Sequence, residues 1–502
     1  MKKKVIILLC CIGLTTSLWA VRTDSIAPLQ YYSLWRLALL EHMDNPAAND
    51  SLYSHSYSTL SVSFRSESAN RPFFYQLGTA RQNITAGVSS YLYLPSNMTV
   101  WGNAGYERGE NKDICFNSTS DYNLIYPYVL GDTIGGKTHV ETYSFAGGTA
   151  FHKKRWTFGA SIRCRAMQEY RQTDPRMRGI VTDLVLQVGA KYAFKYNDVA
   201  LGFGSVFYKQ TNDVDFYREE GGNKEYLFTG LGTYNGRFSG GNNELYYKAT
   251  GYQVDLNVTP KKFHGLFVTG VYEYIPYTQI LTKLNALPLN TLHFSNCSLV
   301  MGWRNNKHNQ WSVYGLMSQQ KRLGDEHIAG DASGGEYKQL TSLTLYHQVV
   351  HSYALNALYH KGHQSAFTTK ITLGYKDYNE TYEQKERSIS FSKLYGEGSV
   401  QWQKVLNKRC FLSCYISGGY EATLQKNMIM PYLKMTETIT QLVNRTYDRL
   451  TDNYLHVKGQ GLVWYYPKSW NKKGCFFGIE STFLKSENYC KKSVIAMMGV
   501  VF

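Results

Sequence analysis

Seven basic side chains lie on the polar face of alternating segments, where they are well placed to meet a solute. Side chains of one face recur at every second position of a strand. In a strand that crosses a membrane, the apolar face meets lipid, and charged side chains there are costly. A charged face therefore points to the water-filled interior, or lumen, that a ring of such strands encloses. We predict either a basic constriction that favours anions or residues that hydrate the lumen and pair with Asp183 and Glu421. The seven are Arg163, Arg165, Lys191, Lys370, Lys376, His456 and Lys458.

Other motifs point to no catalytic, metal or cofactor site. Residues 131–138 match the P-loop pattern G-x-x-x-x-G-K-T, but a phosphate cradle needs a following helix, and His139 to Phe151 alternate as a strand does. His347 and His351 lie four residues apart on one strand face, too far apart to chelate a metal easily. The sequence contains no G-x-S-x-G elbow. We therefore expect a protein that is not an enzyme and needs no metal or cofactor.

The segments that carry these residues read as long strands. Trp156 to Gln168 places Trp, Phe, Ala, Ile, Cys and Ala at even positions, and Ile180 to Phe194 follows the same rule. Such strands run to about 10–15 residues, whereas about 5–6 is the usual length. A tilted strand needs about 9–11 residues to cross a bilayer. The pattern predicts an all-β fold, a transmembrane antiparallel up-and-down β-barrel with a short N-terminal helix.

The connections alternate between short and long, as they do in bacterial barrels. Following them along the chain gives a best count of 18 strands, and any even number from 14 to 18 fits. Residues 337–359 must form one strand for this topology to work. The longer connections are Glu107–His139, Lys209–Asn243, Pro276–Asn290, Gln319–Glu336 and Gln425–Asp452.

The first 55 residues divide into two parts. Residues 1–20 have three lysines, an apolar run and a terminal Ala20, which indicates a secretory signal peptide. Residues 21–55 form an N-terminal plug or brace, in which Tyr31 to Met43 carries apolar residues at helical spacing. That helix could fill the lumen or rest in the periplasm. The barrel itself spans residues 56–502.

Composition fits an exported membrane barrel. Aromatic residues make up 15% of the chain, and amphipathic rings are favoured at membrane–water boundaries. Without the signal peptide, 51 basic residues remain against 38 acidic ones, a net charge of +13. Such a balance suits anionic lipid or an anionic solute, and because the chain is exported we expect no nucleic-acid partner. Seven scattered cysteines remain, and they suggest no disulfide framework.

The chain resembles Bacteroidota outer-membrane barrels of the DUF6850 type. The resemblance rests on the signal peptide, Asn45-Pro46-Ala47 after a short helix, Tyr-rich alternating strands and an apolar last segment that ends on Phe502. A weaker similarity is to fatty-acid transporter (FadL-like) barrels, which share an Asn-Pro-Ala near the start and an N-terminal plug. The predicted strand number exceeds theirs.

The resemblance implies an address in the cell outer membrane, among its lipid and lipopolysaccharide. It also implies that Phe502 is an assembly signal read by the barrel assembly machinery. We hypothesise a channel or passive transporter for small anionic or amphipathic solutes. One alternative is a structural partner of a TonB-dependent receptor or a surface lipoprotein, and another is a lipid-modifying barrel enzyme. The last strand should pair with the first, near Tyr57 to Arg65, because an open edge in lipid leaves backbone groups unsatisfied.

Overall fold

A computed structural model describes most of the chain. It covers residues 27–40, 43–53, 55–94, 97–217, 225–240, 243–306, 310–332, 336–362, 365–431, 437–470 and 473–502. The predicted signal peptide, residues 1–20, lies outside the described residues and stays a prediction.

Eighteen long antiparallel strands form one sheet. They are β1 (Tyr57–Ala69), β2 (Ala80–Leu94), β3 (Met98–Ile114), β5 (Gly136–Lys153), β6 (Trp156–Arg171), β7 (Arg176–Ala193), β8 (Asn197–Asp215), β11 (Glu244–Pro260), β12 (Gly265–Leu281), β13 (Leu287–Asn305), β14 (Gln310–Ala329), β15 (Gln339–Lys361), β16 (Ser365–Tyr382), β17 (Arg387–Asn407), β18 (Cys410–Ile429), β19 (Tyr454–Tyr465), β20 (Gly474–Lys485) and β21 (Cys490–Val501).

Smaller elements lie before and between these strands. A second sheet contains β4 (Leu130–Gly131), β9 (Tyr226–Gly230) and β10 (Thr233–Tyr234). The α-helices are α1 (Ala27–Tyr31), α2 (Leu34–Leu40), α3 (Tyr122–Ile125) and α4 (Glu437–Thr451). Short 3-10 turns include Pro46–Ser51. None of the helices that the structure describes is long and apolar enough to cross a membrane.

The large sheet closes into a barrel because its last strand pairs with its first. Thr59 lies opposite Val501, and the antiparallel register continues to Ala69 opposite Lys491. Ser58 and Phe502 also exchange backbone hydrogen bonds of 3.2 and 3.0 Å. Both the predicted closure and the best count of 18 strands are confirmed.

The two faces of each strand meet different surroundings. On β6 the outward side chains of Phe158 and Ile162 are 52% and 49% exposed, whereas inward Thr157 is fully buried. The same division repeats around the barrel, so an apolar outer wall surrounds a polar lumen. An apolar exterior with an internally satisfied backbone is what a hydrocarbon environment requires.

Two predicted long connections prove to be mostly strand. β12 continues to Leu281 and β13 begins at Leu287, so the connection predicted at residues 276–290 shrinks to five residues. Similarly, β14 continues to Ala329 within the connection predicted at residues 319–336. Leu281 and Leu287 are buried in an apolar core at this end of the barrel, which lets the hairpin continue beyond its expected limit.

The predicted N-terminal helix is broken into two, and one helix was missed. The break falls at Tyr32 and Ser33, where the Gln401 amide of the barrel wall donates to the Tyr32 carbonyl and accepts from the Leu34 N–H, both at 2.6 Å. A wall side chain therefore satisfies the groups that a continuous helix would pair. The missed helix is α4, which lies within the connection predicted at Gln425–Asp452.

Candidate functional site

The candidate site is the lumen, which two segments of the chain occupy at different levels. The plug comprises the described residues between 27 and 56, and it lies at the end of the barrel that has short turns. The lid is residues 115–135, between β3 and β5, and it lies at the end that has long connections. Both segments run between strands on opposite walls, so both narrow the lumen.

The plug docks on a flat niche that three glycines provide. A Cβ atom at Gly159 would lie 2.4 Å from the backbone nitrogen of Ala47, and one at Gly189 would lie 2.1 Å from Oδ1 of Asn45. A Cβ at Gly202 would similarly meet Asn45 at 2.8 Å. These glycines lie on the adjacent strands β6, β7 and β8. Only residues without a side chain allow the Asn45-Pro46-Ala47 turn to approach the wall so closely.

Polar contacts fix the same turn. The Asn45 amide donates to Asp255 on β11 at 2.7 Å, and its oxygen accepts from the Ala47 N–H at 2.9 Å. Asp50 forms a short ion pair with Lys191 on β7. Asn45 is fully buried, so its amide must be satisfied by the protein. The sequence motif therefore anchors the plug to one wall.

Other contacts tie the plug to the opposite wall. Gln403 on β17 donates to the Leu29 carbonyl at 3.1 Å. Gln403 lies two residues after Gln401, which contacts Tyr32 and Leu34 of the plug. Trp35 stacks on His360 of β15 with ring centroids 5.8 Å apart, and the Arg304 guanidinium lies over its ring. The described plug residues therefore lie against the inner wall on both sides of the lumen, and the role of the segment as a plug or a brace stays a prediction.

The lid begins at a buried ion pair. Arg171, at the end of β6, donates to Asp132 at 3.0 Å and to the Asn117 carbonyl at 2.9 Å. Both charged side chains are completely buried. Asp132 also accepts from the Ser118 hydroxyl and from the backbone N–H groups of residues 134 and 135. A buried charge with this many partners holds the two ends of the lid together.

The lid then crosses the lumen. On β6, Arg165 forms a bidentate ion pair with Asp121 of the lid, with N···O distances of 2.9 and 2.6 Å. On β14, Arg322 donates to the Tyr126 and Asn123 carbonyls at 2.9 and 2.8 Å. Further on, the Tyr126 hydroxyl donates to Glu380 of β16 at 2.7 Å. The lid is therefore held on opposite sides of the barrel by charge-assisted hydrogen bonds.

An apolar core covers the lid. Its side chains Ile125, Tyr128 and Leu130 are almost fully buried, and Ile439 and Leu442 of α4 pack into the same cluster. In addition, β4 within the lid pairs with β9 of the next long connection. Three connections thus fold together into one cap at the long-connection end.

Glu225 is the buried acid in this cap with the strongest link to pH. The residue lies before β9, outside the barrel strands, and accepts from the Asn243 amide at 2.8 Å. Burial raises its pKa from 4.5 to about 7, with the Asp132 carboxylate adding to the shift. The folded cap thus holds a proton that an unfolded chain releases. The proton on Glu225 stabilises the folded cap fully below pH 4.5, and this stabilisation is lost as the pH rises through about 7.

We expect amides of residues 225–240 to lose protection from hydrogen exchange between pH 5 and pH 8. The loss, corrected for intrinsic exchange, should be on the order of a hundredfold at most. Glu225→Gln keeps an acceptor for Asn243 and removes the charge, so its protection should be independent of pH. An equal pH dependence in wild type and variant would show that Glu225 does not control this segment.

The seven predicted basic residues all project to the lumen side of their strands. Arg165 pairs with Asp121 and also lies 3.5 Å from Asp183. Lys458 lies 2.9 Å from Glu480, and His456 lies 3.6 Å from a second carboxylate, on β17. Lys191 pairs with the plug, and Lys370 lines a cavity beside α2.

The other two of the seven are Arg163 and Lys376. Among the residues that the structure describes, neither has a carboxylate oxygen within 4 Å. Arg163 lies near Asp183, and Lys376 lies near Glu421, which pairs with Lys393 at 2.7 Å. Asp183 therefore lies near both Arg163 and Arg165, and the alternative that the basic residues hydrate the lumen and pair with carboxylates stays a prediction. An anion-favouring constriction stays a prediction, as does the role of Phe502 in assembly.

Sequence reasoning missed the partners that lie across the lumen. Asp121, Asp132, Arg322 and Glu380 hold the lid, yet two of them lie in a connection and two on strands with no distinguishing motif. The inward position of Arg322 and Glu380 was available from alternation, but their partners were not. No group of three or more histidine, cysteine or acidic residues within the described ranges could hold a metal ion.

The fold and lumen define an eighteen-stranded β-barrel that its own chain obstructs at two levels. The chain belongs to the family of unknown function DUF6850, which matches residues 46–496. The predicted family is therefore confirmed, while the weaker similarity to FadL-like transporters stays a prediction. Comparison with curated proteins gave no match to the chain.

Several solved barrels resemble the fold distantly. The outer membrane transporter YddB from Escherichia coli is 8% identical, with a TM-score of 0.41 over 88% of this chain and 81% of that one. The ferric preacinetobactin receptor BauA from Acinetobacter baumannii is 6% identical, with a TM-score of 0.39 over 89% and 80%. The monoaromatic hydrocarbon channel CymD is 8% identical, with a TM-score of 0.33 over 97% and 94%. Likeness of this degree carries no conclusion about function.

Proposed function

We propose that the chain is a gated outer-membrane channel or passive transporter for small anionic or amphipathic solutes. The observation that carries this proposal is a polar lumen, inside an apolar wall, that two internal segments obstruct. A barrel with 16–18 strands is wide enough for an aqueous channel when nothing fills it. The short-turn end would face the periplasm and the cap would face outward, as in other bacterial barrels.

The contacts of both segments suit a gate. The plug and the lid are held to the walls by side-chain hydrogen bonds and ion pairs rather than by strand pairing with the barrel. Each such hydrogen bond contributes about 0.5–3 kcal/mol, so either segment can detach while the barrel strands stay paired. Cavities remain beside them: about 680 Å³ between plug and wall at the short-turn end, about 530 Å³ beside α2 and about 660 Å³ beside the lid. A solute would therefore find space beside each obstruction.

The obstructed lumen also favours the second candidate, a partner for a TonB-dependent receptor or a surface lipoprotein. A barrel that never opens would serve as a structural component of a larger assembly. Current through the purified protein in planar bilayers separates the two roles. Discrete opening steps of the intact barrel support a channel, whereas an intact barrel that stays closed while the plug-and-lid deletion conducts supports the structural role.

Arg163→Gln should reduce the preference of the open state for anions over cations by about sevenfold. Arg163 is exposed in the lumen, and no carboxylate oxygen among the described residues lies within 4 Å of it, although Asp183 and Glu273 lie near it. One charge about 7 Å from a passing ion contributes about 0.6 kcal/mol in water-like surroundings, favourably for an anion and unfavourably for a cation. The reversal potential in a KCl gradient measures the preference, with Lys385→Gln, on an exposed outer turn, as control. Equal potentials for wild type and Arg163→Gln would leave Arg163 only a hydrating role.

A further inference from the structure

One cavity beneath the cap has an apolar side and a charged side. It measures about 410 Å³ and lies between the lid, α4 and the inner wall of β14 to β17. Small-molecule sites commonly have about 300–1,000 Å³, with mostly apolar linings and a few polar groups. A ligand for this cavity would be the solute that the lumen takes, so its identity rests on the proposed channel function.

One side of the cavity is apolar. Leu442, Val443 and Leu450 project from one face of α4, and Ile389 of β17 adds to the same surface. Leu442 and Val443 are each only 6% exposed, so the wall is already withdrawn from water. An apolar group that enters this space would lose its own contact with water, which favours binding.

The opposite side carries charge. Arg322 and Lys376 line it together with Glu380. Glu380 accepts from the hydroxyls of Tyr126, Tyr346 and Tyr378 at 2.7, 3.0 and 2.6 Å, so its carboxylate is well satisfied.

The charges do not cancel at this wall. Arg322 is the basic group that faces Glu380, and nearby Lys393 pairs with Glu421 at 2.7 Å. Lys376 remains as the positive charge with no carboxylate oxygen within 4 Å among the described residues. A partly buried ammonium group in this setting favours an anion beside it.

The geometry points to a binding site for an amphipathic anion, with its charged group at Lys376 and its apolar body against α4. The shape of the site separates this ligand from two simpler ones. An inorganic anion would leave the apolar wall unoccupied, and a neutral apolar molecule would leave Lys376 unpaired. Only a compact molecule that carries both parts matches both surfaces.

Calorimetric titration of the full barrel in a neutral detergent tests the assignment. The probes are 4-phenylbutyrate, its neutral analogue 4-phenylbutanamide, and inorganic phosphate. We expect 4-phenylbutyrate to bind about tenfold more tightly than the amide, and phosphate to bind more weakly than either. Equal affinity for acid and amide, or phosphate binding as tight as that of 4-phenylbutyrate, would overturn the proposal.

Two substitutions locate the site. Lys376→Met keeps the length of the side chain and should abolish the preference for the acid, whereas Lys370→Met removes a charge six residues away on the same strand face and should preserve it. Val443→Trp should fill the apolar half and weaken acid and amide alike. Unchanged affinities in both Lys376→Met and Val443→Trp would exclude this cavity. Because binding is measured without transport, bilayer currents test the channel separately, and either proposal can fail alone.

Discussion

A variant that lacks both the plug and the lid should conduct on the order of tenfold more current than a variant that lacks only one. The two segments obstruct the same lumen at different levels, so they act as resistances in series. Removing one leaves the current limited by the other. Removing both leaves a wide aqueous lumen of the size expected for an 18-stranded barrel.

The structure supplies a clean way to remove each segment. Ile114 and Gly136 are cross-strand partners at the ends of β3 and β5, so a two-residue Asn-Gly turn can replace the whole lid. Residues 27–53 can be deleted without touching β1, which begins at Tyr57. Single-channel conductance of the two single deletions and the double deletion gives the comparison.

A point substitution provides an independent test of the plug. Gly189→Val would drive a side chain into Asn45, whereas a Cβ at Gly87, also on the lumen side, meets only the Ala104 carbonyl oxygen at 3.6 Å and the Ser61 hydroxyl oxygen at 4.0 Å. In the lid-deleted background, Gly189→Val should raise conductance and Gly87→Val should not. If one single deletion already conducts as well as the double deletion, the segment that remains does not close the lumen.

The strands were predictable because the alternation of apolar and polar residues is a local pattern that each strand carries in its own sequence. A residue in β6 faces either the outer wall or the lumen, and alternation along a short stretch reveals which. The count of eighteen and the closure by β21 follow from repeating this rule around the ring. One irregularity falls between Ser392 and Lys393, where the register of β17 against β18 shifts.

The contents of the lumen were not predictable in the same way. The break in the N-terminal helix depends on Gln401, which lies 367 positions from Leu34. The lid depends on Arg322, which lies 196 positions from Tyr126. Neither pairing leaves a periodic signal in the sequence. By contrast, α4 did leave one: Ile439, Leu442, Val443 and Leu450 recur on one helical face within a stretch that was predicted to be a connection.

Arg171→Met should release the two ends of the lid, residues 116–118 and 130–132, which are called the lid root here. The substitution preserves much of the side-chain volume but leaves the Asp132 carboxylate buried beside only neutral donors. Removing one partner of a buried ion pair costs about 3–5 kcal/mol. Local opening of the lid should become about a hundredfold to several thousandfold more frequent, since each 1.4 kcal/mol is a factor of about ten.

Hydrogen exchange at the amides of Phe116 and Ser118 measures this opening. In the folded lid they donate to the carbonyls of Asp132 and Leu130, both at 2.8 Å, so they exchange only when the root opens.

Arg176→Met provides the matched control for the lid root. Arg176 pairs with Asp174 at 3.0 Å on the neighbouring hairpin, but its side chain is 46% exposed. Exposed pairs contribute about 1 kcal/mol or less, so lid exchange should change less than about fivefold. The double variant Arg171→Met/Asp132→Asn should recover much of the lost protection, because it no longer buries an unpaired charge. Lid amides that exchange equally in wild type and in Arg171→Met would show that the apolar core, and not the ion pair, holds the lid closed.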